Sequence, residues 1–291
     1  MRLGFQFQTF NQPPDRLGAS LGSIARAAED AGFEYVLTMD HFFQLPMIGP
    51  VDEPMTEAYT TLGFLAAHTS RVRLGTLVSG PMSRHPGVLI KQVTTLDVLS
   101  GGRALLGIGA SWFEREHLAY GVPFPPQSER FERLEEILQI AHQMWRGNRE
   151  PYAGQHYQLD EPVNSPAALS RPHPPILVGG GGERRTLRLV AQYADACNLD
   201  VDDIQETSHK LSVLREHCAE IGRPFDDIER TAIIPIIDLG ERGEHVNAFV
   251  DRLGTLADIG IQAVFGTFAD SDLRRAIEIA GRDVVPQASG L

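Results

Sequence analysis

The stretch that decides the fold is residues 72–109, VRLGTLVSGPMSRHPGVLIKQVTTLDVLSGGRALLGIG. Its apolar runs predict a strand over residues 72–78 and a second strand over 104–109. Between them, Pro86 suits the first turn of a helix, and Gly101, followed by a second glycine, marks the helix end. The buried stripe of this helix would consist of Leu89, Val93 and Leu96. The stretch therefore predicts a parallel βαβ unit.

The same alternation of strand and helix patterns extends to both sides of this stretch. The predicted strands span residues 3–7, 35–39, 72–78, 104–109, 176–178, 194–199, 230–237 and 263–268. Eight strands that alternate with helices favour a closed (β/α)8 TIM barrel over an open doubly wound sheet, which usually has fewer strands. We expect this α/β barrel to form a single domain over residues 1–291.

Two segments next to the fifth predicted strand are longer than ordinary connections. The first comprises residues 111–127 and a helix predicted over 128–145, and the second comprises residues 148–175. We interpret both as insertions, because long loops in a compact domain usually act as lids or specificity elements. Several apolar side chains would form either a lid or ordinary packing: Met47, Trp112, Phe113, Tyr152 and Tyr157.

The composition limits the classes of partner and the compartment. Among the 291 residues, 26 Lys and Arg stand against 38 Asp and Glu, and the net charge of −12 disfavours nucleic acid and anionic membranes. The only cysteines, Cys197 and Cys218, have no metal-binding spacing and are predicted to be free, buried thiols. Without a charged leader or an apolar run of about 18 residues, the expected location is the cytoplasm.

In a TIM barrel the active site lies at the carboxyl ends of the strands, so residues that follow the predicted strands are the first candidates. Asp40 and His41 follow the second strand and could be a metal pair, a general base with the residue that orients it, or an ordinary turn. Because the other strand ends offer only Asp200 as a further acidic ligand, we expect no metal. A neutral histidine there suits proton transfer or a hydrogen bond to a ring carbonyl.

Two glycine-rich stretches follow strands. Residues 179–182 are four glycines that open a helix, so bare N–H groups there could bind a phosphate; the alternative is a flexible turn. Gly107 and Gly109 near a strand end indicate that another group lies close to the backbone there, either a flat ring or crowded side chains. No Gly-x-Ser-x-Gly motif and no lysine lies at a strand end, which is typical of chemistry carried by a cofactor.

The order of these motifs resembles that of the luciferase-like monooxygenase superfamily. The resemblance rests on Asp40-His41, residues 74–78 leading to His85-Pro86, residues 97–103 and Gly107-Ile108-Gly109. Residues 107–124 and 174–180 are similar to its deazaflavin branch, which uses coenzyme F420. The resemblance implies a barrel with an insertion, a homodimer, a small-molecule substrate and a cofactor phosphate held after the fourth and fifth strands. It also implies a cis peptide bond at Val78-Ser79 or Ser79-Gly80.

Two sets of site residues follow from the motifs and the resemblance together. The catalytic residues would be His41, as proton relay, and Asp40, which would orient it. The residues expected to bind the cofactor are Asp40, His41, Val78, Ser79, Gly80, Gly107, Gly109, Ala110, Ser111, His117, Tyr120, Gly179, Gly180, Gly181, Gly182, Glu183 and Arg184.

One position departs from the pattern that the resemblance implies. Alcohol and sugar-phosphate dehydrogenases of this family carry a proton-donating glutamate where this chain has Ala110. Glu114 or Glu116 would either replace it or be a surface charge. We therefore expect an F420-dependent oxidoreductase that transfers hydride between the deazaflavin and a small organic substrate, more readily as a reductase. The alternatives are a monooxygenase dependent on flavin mononucleotide (FMN) and a non-catalytic flavin-binding protein.

Overall fold

The computed structural model describes residues 1–269 and 272–291. Eight parallel strands close into a barrel in the order β1-β10-β9-β8-β7-β4-β3-β2, which confirms the predicted (β/α)8 architecture. The barrel strands are β1 (Arg2–Phe7), β2 (Tyr35–Thr38), β3 (Arg73–Thr76), β4 (Ala104–Ile108), β7 (Ile176–Gly179), β8 (Ala196–Asp200), β9 (Glu229–Ile237) and β10 (Ala263–Phe268). A separate two-stranded hairpin consists of β5 (Tyr152–Ala153) and β6 (Gln158–Leu159).

Helices surround the barrel. They are α1 (Pro14–Asp30), α2 (Ala58–Ala66), α3 (Pro86–Ser100), α4 (Glu114–Ala119), α5 (Gln127–Trp145), α6 (Thr186–Tyr193), α7 (Ile204–Glu220), α8 (Val246–Asp258), α9 (Leu273–Ile279) and α10 (Val285–Ala288). A 3-10 turn at Phe225–Asp227 and a π-helical stretch at Ala280–Val284 complete the described elements. Among these residues, no helix combines the length and apolar character needed to cross a membrane.

Two apolar layers hold the barrel together. The larger lies between the strands and the surrounding helices, and the smaller fills the inside of the barrel. The inner layer contains Tyr35, Leu37, Leu77, Leu105, Leu177 and Phe265. Cys197 in β8 and Cys218 in α7 are free and buried, as the sequence predicts, and burial raises the pKa of the Cys197 thiol to about 12.

The βαβ unit over residues 72–109 forms, and its helix begins and ends at the predicted residues. Helix α3 begins at Pro86, and Gly101 ends it with a left-handed φ of 76°. Strand β3, however, ends at Thr76, two residues before the predicted end. Because the chain leaves the strand at this earlier point, the cis peptide bond joins Leu77 to Val78. The prediction of a cis bond at Val78-Ser79 or Ser79-Gly80 was therefore wrong.

The interpretation of residues 128–145 as part of an insertion was also wrong. Helix α5 packs between α3 and α6 and takes the place of the ring helix between β4 and β7. A helix of the ring and a helix of an insertion have the same apolar periodicity, so the pattern could not separate them. The short helix α4 is the additional element in this connection.

The second long segment, residues 148–175, packs outside the barrel against α3 and α5. Its backbone N–H groups at Gln155 and Tyr157 donate to Glu136 of α5, and those at Leu169 and Ser170 donate to Asp97 of α3. No residue of this segment lines the cavity at the carboxyl ends of the strands, so the expectation that it forms a lid or specificity element of the active site was wrong. Tyr152 and Tyr157 accordingly serve packing.

Candidate active site

A cavity of about 730 Å³ opens at the carboxyl ends of the barrel strands. Most of the site residues predicted from the sequence line this cavity. Those that line it are Asp40, His41, Val78, Ser79, Gly80, Gly109, Ala110, Ser111, His117, Gly179, Gly180, Gly181 and Gly182. Met47, Trp112 and Phe113 line it as well. The volume is within the range of small-molecule and cofactor sites.

His41 is held by a buried carboxylate of helix α4. Its Nδ1 lies 2.7 Å from Oε1 of Glu116, whose other oxygen accepts the N–H of Phe42 at 2.8 Å. Glu116 is 2% exposed, whereas Glu114 is exposed to solvent. The rings of Trp112 and Phe113 stand edge-on to the imidazole, with centroids 5.9 and 6.0 Å away. Glu116 therefore orients His41, and the prediction that Asp40 does so was wrong.

Asp40 is instead part of a buried ion pair. Arg84 donates to both of its carboxylate oxygens, at 2.5 and 2.9 Å, and Ser79 Oγ donates to it at 2.5 Å. Arg84 also pairs with Glu57. Burial acts to lower the pKa of Arg84, but its hydrogen bonds to Asp40 and Glu57 outweigh that effect and raise it. The carboxylate of Asp40 thus neutralises Arg84 and makes no contact that orients His41.

The glycines at the ends of β4 and β7 make room for other groups of the protein. A Cβ at Gly109 would lie 3.0 Å from Cγ2 of Val78, and one at Gly179 would lie 2.9 Å from its Cγ1. A Cβ at Gly107 would lie 1.8 Å from the carbonyl oxygen of Thr76. Gly107 does not line the cavity, so crowding inside the barrel, and not a bound ring, accounts for that glycine.

Two buried polar atoms of the cavity wall have no partner in the described part of the chain. They are Oγ of Ser111 and Nε2 of His117, whose Nδ1 contacts the Phe113 carbonyl oxygen at 2.9 Å. Ser111 has a positive φ of 58°, and a Cβ at Gly80 would lie 2.0 Å from its Oγ. An unsatisfied buried polar group costs about 1–3 kcal/mol, so these atoms are suited to bind a ligand.

The glycine loop after β7 lines the cavity and, among the described residues, has N–H groups without a protein partner. Gly180, with φ of 114°, donates its N–H to the Asn198 carbonyl oxygen, while those of Gly181 and Gly182 find no acceptor within residues 1–269 and 272–291. A Cβ at Gly181 would lie 3.0 Å from Nζ of Lys210, which pairs with Glu206 at 2.5 Å. Free N–H groups beside a lysine suit an anion. Sequence reasoning missed Lys210 because it lies within helix α7.

Four nominated residues lie outside the cavity lining. Besides Gly107, they are Tyr120, Glu183 and Arg184. Tyr120 is 60% exposed and packs against the rings of Phe42 and Phe43. Arg184 is exposed and Glu183 pairs with His209 at 3.2 Å, while Thr186, further along the chain, lines the cavity. None of the four lines the cavity, and their contact with the cofactor stays a prediction.

A closed barrel with such a cavity at its carboxyl end is the architecture of a TIM-barrel enzyme. The model of the luciferase-like monooxygenase family matches residues 1–258, and the chain belongs to that family.

Two relatives with named activities differ in their cofactor. An F420-dependent glucose-6-phosphate dehydrogenase of Kineococcus radiotolerans is 34% identical over 81% of this chain and 68% of its own length. An FMNH2-dependent dimethylsulfone monooxygenase of Pseudomonas putida is 31% identical over 68% of this chain and 53% of its own length. The chain thus spans about two thirds of the dehydrogenase relatives and about half of the monooxygenase.

A solved structure shares the fold over nearly its whole length. This F420-dependent secondary alcohol dehydrogenase, in complex with an F420-acetone adduct, superposes with a TM-score of 0.84, 16% identity and 99% coverage of both chains.

Proposed function

We propose that this protein is an F420-dependent oxidoreductase that reduces a small organic substrate. The observation that carries the proposal is that one cavity combines the free N–H groups of the glycine loop with the His41–Glu116 pair. The F420-dependent dehydrogenases among its relatives support the choice of cofactor.

The residues present fit this cofactor. The N–H groups of Gly181 and Gly182, together with Lys210, would hold its phosphate, and the unpaired atoms of Ser111 and His117 would bind its polar groups. When bound, reduced F420 supplies a hydride.

The chain itself supplies the proton. When the carbonyl carbon of a substrate gains a hydride, the electron pair of the C=O bond moves to the oxygen, and His41 donates the proton that this oxygen takes. Glu116 occupies Nδ1 of His41, which leaves Nε2 as the ring nitrogen that can reach a substrate. Glu116 also compensates the charge of the imidazolium. Because Ala110 offers no acid, this pair replaces the glutamate that the family resemblance implies at position 110.

The second candidate is an FMN-dependent monooxygenase, which the Pseudomonas putida relative favours. The deciding experiment is a titration of the purified protein with F420 and, separately, with FMN, followed by tryptophan fluorescence. Trp112 lines the cavity and Trp145 lies outside it, so Trp112→Phe should remove the response while Trp145 remains as the internal control. We expect micromolar binding of F420 and weaker binding of FMN. Preference for FMN would favour oxygen chemistry, and binding of neither would contradict both candidates.

A pair of lysine variants tests the phosphate site. Lys210→Met should weaken F420 binding roughly 10- to 100-fold, because a charge-assisted hydrogen bond contributes about 1.5–3 kcal/mol. Lys91→Met removes the same charge from helix α3, outside the cavity, and should leave the dissociation constant unchanged. Equal affinity of both variants would contradict the placement of the phosphate. A protein that binds F420 but reduces no acceptor would support the non-catalytic alternative.

We also propose that the protein is a cytoplasmic homodimer without affinity for nucleic acid. Val88 and Leu99 of α3 are exposed and line one outer groove together with the exposed Val163, and such an apolar surface suits an interface between subunits. The net charge of −12 disfavours binding to nucleic acid. Light scattering should give twice the chain mass, and a monomeric mass would contradict the dimer.

A further inference from the structure

The cavity offers no cationic side chain to a substrate. None of the described residues that line it is Lys or Arg. Of its acidic residues, Asp40 and Glu116 are paired with Arg84 and His41, and Asp200 adds a further negative charge. If the cofactor phosphate takes the glycine loop and Lys210, an anionic substrate finds no remaining counter-charge, and the net charge of −12 repels it. The cavity therefore disfavours phosphorylated and carboxylated substrates.

Once the cofactor takes the unpaired atoms of Ser111 and His117, the cavity is also poor in free hydrogen-bond donors. Gln8 Nε2 donates to Gln6 Oε1 at 2.8 Å and to the Pro235 carbonyl oxygen at 3.1 Å. Gln6 Nε2 donates to the Leu77 carbonyl oxygen, and Asn198 Nδ2 donates to Thr231 Oγ1. Three of the four amide side chains that line the cavity thus direct their donors at the protein, and the fourth, Gln127, is exposed. A polyhydroxylated substrate would lose hydrogen bonds to water without replacing them.

The mouth of the cavity, in contrast, is apolar and exposed. Three large apolar side chains line the cavity while remaining more than half exposed: Met47 at 67%, Ile236 at 56% and Trp112 at 54%. They come from three different segments, after β2, at the end of β9 and after β4. Deeper in the same walls lie Leu45, Ile48, Phe113 and Ile233. Exposed apolar side chains that converge on a cavity mouth mark the place where an apolar ligand is bound.

We infer that the substrate is an uncharged carbonyl compound whose apolar body lies against Met47, Trp112 and Ile236 and whose oxygen reaches His41. The inference rests on the proposed reductase function and specifies its substrate class. The carbonyl carbon gains the hydride of reduced F420, the oxygen gains the proton of His41, and an alcohol and oxidised F420 result. A sugar phosphate, the substrate named for the dehydrogenase relatives, does not fit these walls.

The test measures binding, so that it is independent of turnover. The protein is saturated with oxidised F420 and titrated calorimetrically with 2-butanone, 2-pentanone and 2-hexanone, and separately with glucose 6-phosphate. Each added methylene should lower the dissociation constant roughly fourfold, because burial of a CH2 group contributes about 0.8 kcal/mol. Glucose 6-phosphate should not bind. The inference would be overturned by a dissociation constant that does not change from 2-butanone to 2-hexanone. It would also be overturned if glucose 6-phosphate bound more tightly than 2-hexanone.

Variants locate the effect at the cavity mouth. Met47→Ser and Ile236→Ser should weaken binding of 2-hexanone more than that of 2-butanone and so reduce the gain per methylene. Leu169→Ser alters a side chain that is 52% exposed outside the cavity and should leave the series unchanged. Equal effects of all three variants would contradict the inference. If F420 itself does not bind, the proposed function fails. If F420 binds but the three ketones have the same dissociation constant, the substrate class alone is wrong.

Discussion

Gly107 and Thr76 approach each other where β4 passes the end of β3, and a Cβ at position 107 would lie 1.8 Å from the Thr76 carbonyl oxygen. The Gly107 carbonyl oxygen also accepts hydrogen bonds from Thr76 Oγ1 at 2.8 Å and from Ser79 N at 2.9 Å. This contact fixes the backbone from which Val78 and Ser79 enter the cavity. A side chain at position 107 would have to displace backbone, which cannot rotate away.

We therefore expect Gly107→Ala to lower the free energy of unfolding by about 1–3 kcal/mol or more, as overpacking of a core does. The matched control is Gly254→Ala in helix α8, where a Cβ meets nothing within 4 Å. In a helix interior alanine is favoured over glycine by about 1 kcal/mol, so the control should gain stability. Urea denaturation measures both. A Gly107→Ala protein as stable as the parent would contradict the contact.

The stretch around Gly107 also shows what the sequence could predict. Strand and helix ends were predictable where local chemistry sets them, as at Pro86 and Gly101. The glycine loop after β7 was predictable because four consecutive glycines suit few other structures. Such features depend on residues that are close together in the chain.

Pairings between distant residues were not predictable. His41 and Glu116 are 75 positions apart, and Asp40 and Arg84 are 44 positions apart. Asp40 precedes His41 directly, so proximity in the chain favoured the wrong orienting residue. Glu114 and Glu116 lie on different sides of the short helix α4, and six residues give too little periodicity to indicate which side is buried.

The His41–Glu116 pair predicts a non-additive loss of activity. His41→Ala should lower kcat about 10²- to 10⁴-fold, the usual contribution of general acid catalysis, and added imidazole should restore part of it. Glu116→Gln should lower kcat less, because it acts by positioning His41. In the His41→Ala background, Glu116→Gln should have no further effect. Steady-state kinetics with reduced F420 tests this, and additive effects would show that Glu116 acts independently of His41.

The Asp40–Arg84 ion pair predicts a large effect on stability. The side chains of Asp40 and Arg84 are 1% and 9% exposed, so Arg84→Met leaves a buried carboxylate without its partner. We expect a loss of about 3–5 kcal/mol in the free energy of unfolding. The double variant Asp40→Asn/Arg84→Met removes both charges and should recover much of that loss. Urea denaturation compares the variants, and a double variant less stable than Arg84→Met would contradict this role.

Glu29 predicts a dependence of stability on pH. Its carboxylate ties the end of α1 to the start of β3, because Oε2 accepts backbone N–H groups from Ser70 at 2.8 Å, Arg71 at 2.6 Å and Val72 at 3.1 Å. Burial acts to raise the pKa of Glu29, but these hydrogen bonds and the charge of Arg71 outweigh it and lower the pKa. A lowered pKa in the folded state means that the stabilisation is present above the unfolded value and is lost as the pH falls through the folded value.

Glu29→Gln should therefore cost about 1–3 kcal/mol at neutral pH, because a charged acceptor is replaced by a neutral one. The difference from the parent should shrink as the pH falls below the ordinary pKa of a glutamate, because the parent carboxylate then becomes protonated as well. The control is Glu241→Gln, which alters an exposed glutamate and should match the parent at every pH. Urea denaturation between pH 3 and pH 7 measures these differences. A difference that stays constant with pH would show that the charge of Glu29 contributes nothing.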